Sequence, residues 1–184
     1  SYYDMPGRSS QAADLYEHCV RSIKRGMRYG AHGLPLIGTC DWNDGMDRVG
    51  HEGKGESVWL AFFFYEVLQR FAEVALVYGD SAFADTCRNE AITLAQNVEK
   101  NAWDGQWYRR AYFDSGGPLG SSTNAECKID SLPQSWSVIS GAGNRLRSRQ
   151  AMAAVQERLV RPKARVIQLF DPPFDHSPQN PGYI

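Results

Sequence analysis

The sequence lacks the features that bind nucleic acid or cross a membrane. No uninterrupted apolar run approaches the roughly 20 residues that a membrane-spanning helix needs. Basic and acidic residues number 20 and 21, which leaves a formal net charge of only −1 and no basic surface for nucleic acid or anionic lipid. The composition therefore predicts no nucleic-acid partner and no direct membrane contact from this segment.

Cysteine is also scarce, and its spacing excludes the common metal frameworks. Cys19, Cys40, Cys87 and Cys127 lie far apart, without a Cys-x-x-Cys pair and without zinc-like spacing to any of the four histidines. Such isolated cysteines are typical of reduced thiols in a cytosolic chain. We therefore expect a cytoplasmic protein with no bound metal and no cofactor.

What the sequence does contain is a series of amphipathic segments. Hydrophobic residues make up 42% and charged residues 22%, values typical of a folded chain. Apolar residues at helical spacing, bounded by glycine, proline and capping residues, predict five helices, within residues 9–30, 55–80, 80–103, 132–143 and 144–160. Alternating residues before Gly-Gly-Pro predict a β-hairpin within 105–121, and residues 164–170 favour a short strand.

The ends of these segments give further local predictions. Ser9 and Ser10 are expected to cap the first helix, Asp80 or Ser81 to cap the third, and residues 56–57 to open the second. Paired helices joined by loops of very unequal length predict an all-α toroid or solenoid. Because five helices do not close a barrel, we expect a fragment of one domain, covering residues 1–184 and incomplete at both ends.

One segment, GTCDWNDGMDRVGHEGKGESVW at residues 38–59, fits neither helix nor core. A calcium loop would match Asp41, Asn43 and Glu52, but Gly45 stands where an oxygen ligand belongs and Met46 where glycine is required. The glycine run lacks the spacing of a nucleotide-binding loop. It is still able to cradle an anion, because backbone amides near a helix start suit a phosphate.

The paired carboxylates of this segment indicate a further chemistry. Cleavage of a glycosidic bond needs an acid that protonates the leaving oxygen. Asp41 and Asp44 are too close in sequence to bracket a sugar, so one acts as the acid and the other binds a hydroxyl group, while Trp42 offers an apolar face to the sugar ring. The alternative is that Asp41 and Asn43 only make Asx-turn hydrogen bonds.

The blocks HGLPLIGTCDWNDGMDRVGHEGKGESVWLAFF, WYRRAYFDSGGPLGSSTNAECKIDSLPQSWSVISGAG and PPFDHSPQNPGYI resemble glycoside hydrolase family 94. The resemblance is greatest to the phosphorylase-like region of cyclic β-1,2-glucan synthases. It implies a partial (α/α)6 barrel, a six-hairpin glycosidase toroid with a small β-hairpin insertion. It also implies inverting phosphorolysis of β-glucosidic bonds, with inorganic phosphate as co-substrate and α-glucose 1-phosphate as product.

The resemblance assigns roles to several residues of the 38–59 segment. The second aspartate of the family motif, here Asp44, is implied as the general acid, and Trp42 is implied to line the subsite of the transferred sugar. Asp41 and Asn43 are expected to bind substrate beside them. Position 40 departs from the family pattern, with cysteine in place of glycine, and position 47 has aspartate where asparagine is common.

Residues outside the motif complete the predicted site. Gln134 is expected to bind substrate because a helix start in a toroid faces the funnel, and Arg48 and Lys54 are expected to contact phosphate. Glu126 and Asp130 either reach this pocket or pair with the arginines at 109 and 110.

The resemblance also implies that the rest of the parent chain is needed to complete the barrel, so these residues alone are expected to be inactive. Their expected place is the cytosolic face of a bacterial inner-membrane synthase. Two rival functions remain open: an inverting hydrolase that uses water and a carboxylate base, and a non-catalytic module that binds glucan and controls its length.

Overall fold

The computed structural model describes residue 7 and residues 9–184. Five α-helices are present in this part of the chain: α1 (Leu15–Gly26), α2 (Val58–Tyr78), α3 (Ser81–Asn97), α4 (Ser131–Ile139) and α5 (Arg145–Arg158). A π-helical turn, Val98–Ala102, extends α3. Seven two-residue strands complete the fold: β1 (Glu56–Ser57), β2 (Ala111–Tyr112), β3 (Pro118–Leu119), β4 (Ile129–Asp130), β5 (Val160–Arg161), β6 (Val166–Ile167) and β7 (Phe170–Asp171). The predicted helix-rich order is confirmed.

The helix caps follow the rule that a cap must adjoin the first turn. Asp80 caps α3, as predicted, by accepting a hydrogen bond from the amide of Phe83. The prediction for α1 is wrong, because Asp14 is its cap and accepts from the amide of Glu17. The two serines lie four or more residues upstream of Asp14, outside the range of a cap hydrogen bond.

The start of α2 also differs from the prediction. Residues 56 and 57 form β1 rather than the first turn, and Ser57 is the cap, accepting from the amide of Leu60. The reason is pairing with the hairpin, since β1, β2 and β3 form one antiparallel sheet in that order. The predicted hairpin is therefore confirmed. It pairs with β1, which lies between the 38–55 loop and α2.

The core has two parts. The larger part lies where α2 packs against α3 and α4, and includes Phe62, Leu68 and Tyr108. A smaller cluster underlies the 38–55 loop and the hairpin; its buried members are Ile37, Met46, Val49, Ala111, Phe113, Leu119 and Cys127. This second cluster gives the loop a fixed floor.

The outer face of α2 is not covered over its whole length. Val74, Val77 and Tyr78 in its last turns are exposed, Val77 to 91%, and Phe63 and Arg70 are exposed in the preceding turns. Within the described residues, no helix is both long and apolar enough to cross a bilayer. Helices α2 and α3 pack together, as do α4 and α5, and a complete (α/α)6 barrel remains a prediction.

Candidate active site

The loop of residues 38–55 is closed at its base by backbone hydrogen bonds. The amide of Ile37 donates to the carbonyl oxygen of Gly55 over 2.9 Å, and Leu36 bridges to Glu56. Gly55 passes so close to Val49 that a Cβ atom there would lie 2.5 Å from the Val49 carbonyl oxygen. The glycine richness of the loop thus has a steric cause at this position.

Asp114, from the hairpin tip, holds the second half of the loop. Its carboxylate accepts hydrogen bonds from the amides of Glu52, Lys54 and Gly55 at 2.8–2.9 Å. Burial alone would raise the pKa of Asp114, but these three donors outweigh it and lower the pKa below its usual value. Sequence reasoning missed this residue, because its partners lie about 60 positions away.

Asp41 is directed inward, and its side chain is inaccessible to solvent. The Arg110 guanidinium grips its carboxylate in a bidentate pair, with Nη1 2.7 Å from Oδ2 and Nη2 2.6 Å from Oδ1. The hydroxyl of Ser57 donates to Oδ2 over 2.6 Å, and the amide of Asn43 donates to Oδ1 over 3.1 Å. Although burial favours the neutral acid, the donors led by Arg110 lower the pKa of Asp41.

Arg110 is itself fully buried and faces a second carboxylate. Its Nε lies 3.2 Å from Oδ2 of Asp130, which also caps α4 by accepting from the amide of Leu132. The open alternative that Asp130 pairs with a hairpin arginine is thus confirmed. Burial raises the pKa of Asp130 to about 6, and the opposing effect of Arg110 does not cancel that rise. We call Asp41, Arg110 and Asp130 the buried triad.

Asp44 and Trp42 have the opposite orientation. Both residues are exposed, Trp42 to 55%, whereas the Asp41 side chain is buried. Between them Asn43 makes a turn, its side-chain oxygen accepting from the amide of Gly45 over 3.0 Å. The thiol of Cys40 lies 3.7 Å from Oδ1 of Asp44. An exposed carboxyl beside an exposed indole is an arrangement able to meet a sugar.

The backbone accommodates cysteine at position 40 without strain. Cys40 does not have a positive φ, whereas the nearby Gly38 does, at 63°. Burial is the main cause that raises the pKa of the Cys40 thiol, and the adjacent Asp44 carboxylate adds to it. The thiol is therefore a weak donor to Asp44 rather than an activated nucleophile.

The other predicted site residues lie in different environments. Gln134 is fully buried: its Oε1 accepts from the amide of Tyr108, and its Nε2 donates to the carbonyl oxygens of Tyr108 and Asp130. This geometry favours a structural role, and substrate binding by Gln134 stays a prediction. Arg48 and Lys54 are exposed on the loop, and phosphate binding by them stays a prediction.

Lys54 lines an open cleft of about 510 Å³ between the loop and the hairpin tip. The cleft also exposes His32, whose Nδ1 lies 2.5 Å from Oε2 of the buried Glu56 and whose ring stacks on Tyr112. Glu56 accepts further hydrogen bonds from the amides of His32 and Leu34. Its role is to fix the chain turn before the loop.

Comparison with known proteins identifies the family that carries this loop. The model of the glycosyl hydrolase 94 superfamily catalytic domain matches residues 2–184. The chain belongs to this family. The resemblance drawn from the motifs is therefore confirmed, and the family is one of carbohydrate-active enzymes.

Three relatives illustrate the range of the family. The chain is 45% identical over 185 residues to the cyclic beta-(1,2)-glucan synthase NdvB of Rhizobium meliloti (strain 1021), covering 100% of this chain and 6% of the relative. It is 35% identical to solabiose phosphorylase of Paenibacillus borealis, over 86% of this chain and 21% of the relative. It is 28% identical to cellobionic acid phosphorylase of Neurospora crassa, over 98% and 23% respectively. The chain thus spans less than a quarter of each of these relatives.

Proposed function

We propose that this chain forms part of an enzyme that cleaves β-glucosidic bonds by inverting phosphorolysis, with Asp44 as the general acid. Phosphate attacks the anomeric carbon, the bond to the leaving sugar oxygen breaks, and the proton of Asp44 passes to that oxygen. The products are α-glucose 1-phosphate and a shortened glucan, and Asp44 is reprotonated from solvent.

The observation that carries this proposal is the division between the two aspartates of the loop. Asp41 is buried and has its charge neutralised by Arg110, so it is not available to donate a proton. Asp44 is exposed, as is Trp42 two residues before it. One acid is enough when phosphate is the nucleophile, because no carboxylate base has to activate it.

The environments of Asp130 and Glu126, the two residues considered as a hydrolytic base, favour phosphorolysis. Asp130 is buried against Arg110. Glu126 accepts hydrogen bonds from the hydroxyl of Ser177 and from the amide of His176. A base that activates water must reach the sugar from the side opposite the acid. Asp130 is sealed in the interior, and both oxygens of Glu126 already accept hydrogen bonds.

The relatives support a proposal for the substrate class. The glucan synthase is the most similar of the three, so we propose a β-1,2-linked glucan as the donor, with Trp42 and Asn43 on its side of the site and Arg48 and Lys54 on the phosphate side. Asp41 and Gln134, whose side chains are buried, support this site from within. We further propose that the rest of the parent protein completes the barrel on the cytosolic face of a bacterial inner membrane, and that these 184 residues alone are inactive.

The test uses the complete protein that carries these residues. Linear β-1,2-glucooligosaccharides are incubated with and without inorganic phosphate, and glucose 1-phosphate is assayed for the wild type and for Asp44→Asn. We expect phosphate-dependent release that falls about 10²- to 10⁴-fold in the variant, the usual contribution of a general acid. Asp85→Asn, which alters an exposed aspartate of α3, is the matched control and should retain full activity.

Other outcomes would replace the proposal with a rival. Reducing sugar released without phosphate, and lost in Asp44→Asn, would indicate a hydrolase. No release under either condition, combined with glucan binding, would indicate a non-catalytic module that controls glucan length.

A further inference from the structure

Arg110 has the most highly constrained side chain near the loop. It is fully buried although it carries a charge that is costly to desolvate. Its backbone is held on two sides, because its amide donates to Leu119 and its carbonyl oxygen accepts from Val58 at the start of α2. The backbone of Gly120 leaves no room even for a Cβ atom, which would lie 2.6 Å from Cβ of Arg110.

From this fixed base the guanidinium determines the place of Asp41. A bidentate arginine–carboxylate pair constrains both the distance and the plane of the carboxylate. Ser57 adds a third hydrogen bond, and Asp130 on the other side restrains the guanidinium through Nε. The carboxylate of Asp41 is therefore held by groups from the hairpin and from the start of α2.

Only two residues separate Asp41 from Asp44, and two Asx-type hydrogen bonds span this stretch. The side chain of Asp41 accepts from the amide of Asn43, and the side chain of Asn43 accepts from the amide of Gly45. These successive hydrogen bonds leave little freedom between the buried and the exposed aspartate. The place of the Asp41 carboxylate is thus linked to the place of Asp44 by two successive hydrogen-bonded turns.

We propose that Arg110 is a positioning residue that aligns Asp44 with the leaving oxygen by clamping Asp41. This inference rests on the proposed function, since it needs Asp44 to be the acid. Arg110 touches no reacting atom. Its effect is confined to the step in which a proton is transferred, because a misplacement of about 1 Å is enough to cost roughly 100-fold in rate.

The experiment separates positioning from general structural damage by changing the leaving group. In the complete protein, phosphorolysis of a β-1,2-glucooligosaccharide needs the acid, whereas phosphorolysis of 2,4-dinitrophenyl β-glucoside does not, because its phenolate leaves without a proton. Arg110→Lys keeps the charge but loses the bidentate fork. We expect kcat for the oligosaccharide to fall about 10- to 100-fold, with kcat for the dinitrophenyl substrate within about twofold of wild type.

Three further variants make the result decisive. Arg147→Lys weakens a different, partly exposed arginine–glutamate pair, between α5 and Glu99, and should change neither rate. Asp44→Asn should give the same selective pattern as Arg110→Lys, with a larger loss. Asp41→Asn serves if Arg110→Lys does not fold, and positioning again predicts a loss limited to the oligosaccharide.

The inference would be overturned if Arg110→Lys or Asp41→Asn lowered both rates equally, or neither. Equal loss in Asp41→Asn would mean that Asp41 binds the sugar directly. If instead Asp44→Asn lost both activities equally, the proposed function itself would fail. The two failures are therefore distinguishable.

Discussion

At the scale of single residues, burial rather than residue type separates the functions of the aspartates. Asp41 and Asp44 belong to one four-residue motif, yet one is sealed against Arg110 and the other faces solvent beside Trp42. Asp130 shares the same arginine but retains a pKa raised to about 6 by burial. Two carboxylates around one guanidinium leave an excess negative charge inside the protein.

This excess charge predicts how Asp130→Asn depends on pH. The folded-state pKa of about 6 lies above the ordinary value of 3.8, so the folded protein binds the proton more tightly and loses stability as pH rises from about 4 to about 6. Asparagine removes that loss. Relative to wild type, we expect the free energy of unfolding of the variant to rise between pH 4 and pH 7 by at most about 2–3 kcal/mol.

Urea titrations at pH 4, 5, 6 and 7 would measure this difference. For Asp41→Asn we expect the opposite pH dependence: its free energy of unfolding, relative to wild type, should fall as pH rises. The reason is that the pKa of Asp41 is lowered and its ionised form stabilises the fold. That stabilisation is present above about pH 4 and is lost as pH falls through the folded-state pKa. A difference between Asp130→Asn and wild type that did not vary with pH would contradict the prediction.

At the scale of elements, the 38–55 loop is ordered by contacts with the hairpin rather than by its own sequence. Asp114 accepts from the amides of residues 52, 54 and 55, and Arg110 holds the opposite end through Asp41. A glycine-rich loop would otherwise have high conformational entropy. Contacts with the hairpin thus hold the loop, and the candidate acid Asp44 on it, in one conformation.

The hydrogen bonds from loop amides to Asp114 predict that Asp114→Asn makes the loop less ordered. The asparagine side chain directs an N–H group toward one of the backbone amides and loses the charge that strengthens the remaining hydrogen bonds. Hydrogen exchange at the amides of Glu52, Lys54 and Gly55 should become about tenfold faster or more, since a hydrogen bond to a charged group contributes about 1.5–3 kcal/mol.

Exchange in α3 provides the internal reference for this measurement, and Asp85→Asn is the matched variant on an exposed surface. Exchange in α3 should be the same in Asp114→Asn as in the wild type. Asp85→Asn should leave the exchange rates of the loop amides unchanged. Unaltered protection in Asp114→Asn would mean that the loop is ordered by its hydrophobic floor alone.

At the scale of the whole molecule, α2 is the central element. Its first turns adjoin the buried triad, its middle turns fill the main core, and its last turns are exposed. The same helix therefore links the stability of the core to the geometry of the loop. At its end Tyr78 stacks on Tyr16 of α1, whereas Val74 and Val77 are exposed.

The position of α2 predicts a contrast between two truncations on one helix. Leu68 is fully buried, so Leu68→Ala should lower the free energy of unfolding by about 2–5 kcal/mol. Val77 is 91% exposed, and Val77→Ala should change it by less than about 0.5 kcal/mol. Urea titration of both variants tests the assignment, and a similar loss in the two would contradict it.

The sequence by itself determined what depends on neighbours along the chain. Helical spacing, the cap at Asp80, the hairpin at Gly-Gly-Pro and the family motif are all local patterns, and each is present as predicted. Local signals are reliable there because a cap or a turn is completed within a few residues. The serine caps of α1 were wrong because several candidate caps stood close together.

Only the tertiary structure decided which aspartate of the motif is buried. Arg110 lies 69 residues from Asp41, and Asp114 lies 60 from Lys54, so no periodicity or spacing in the sequence connects them. These pairs form because the hairpin folds back along β1, which brings charged side chains into a low-dielectric interior where each must find a partner. The topology, and not the motif, thus leaves Asp44 as the exposed carboxyl.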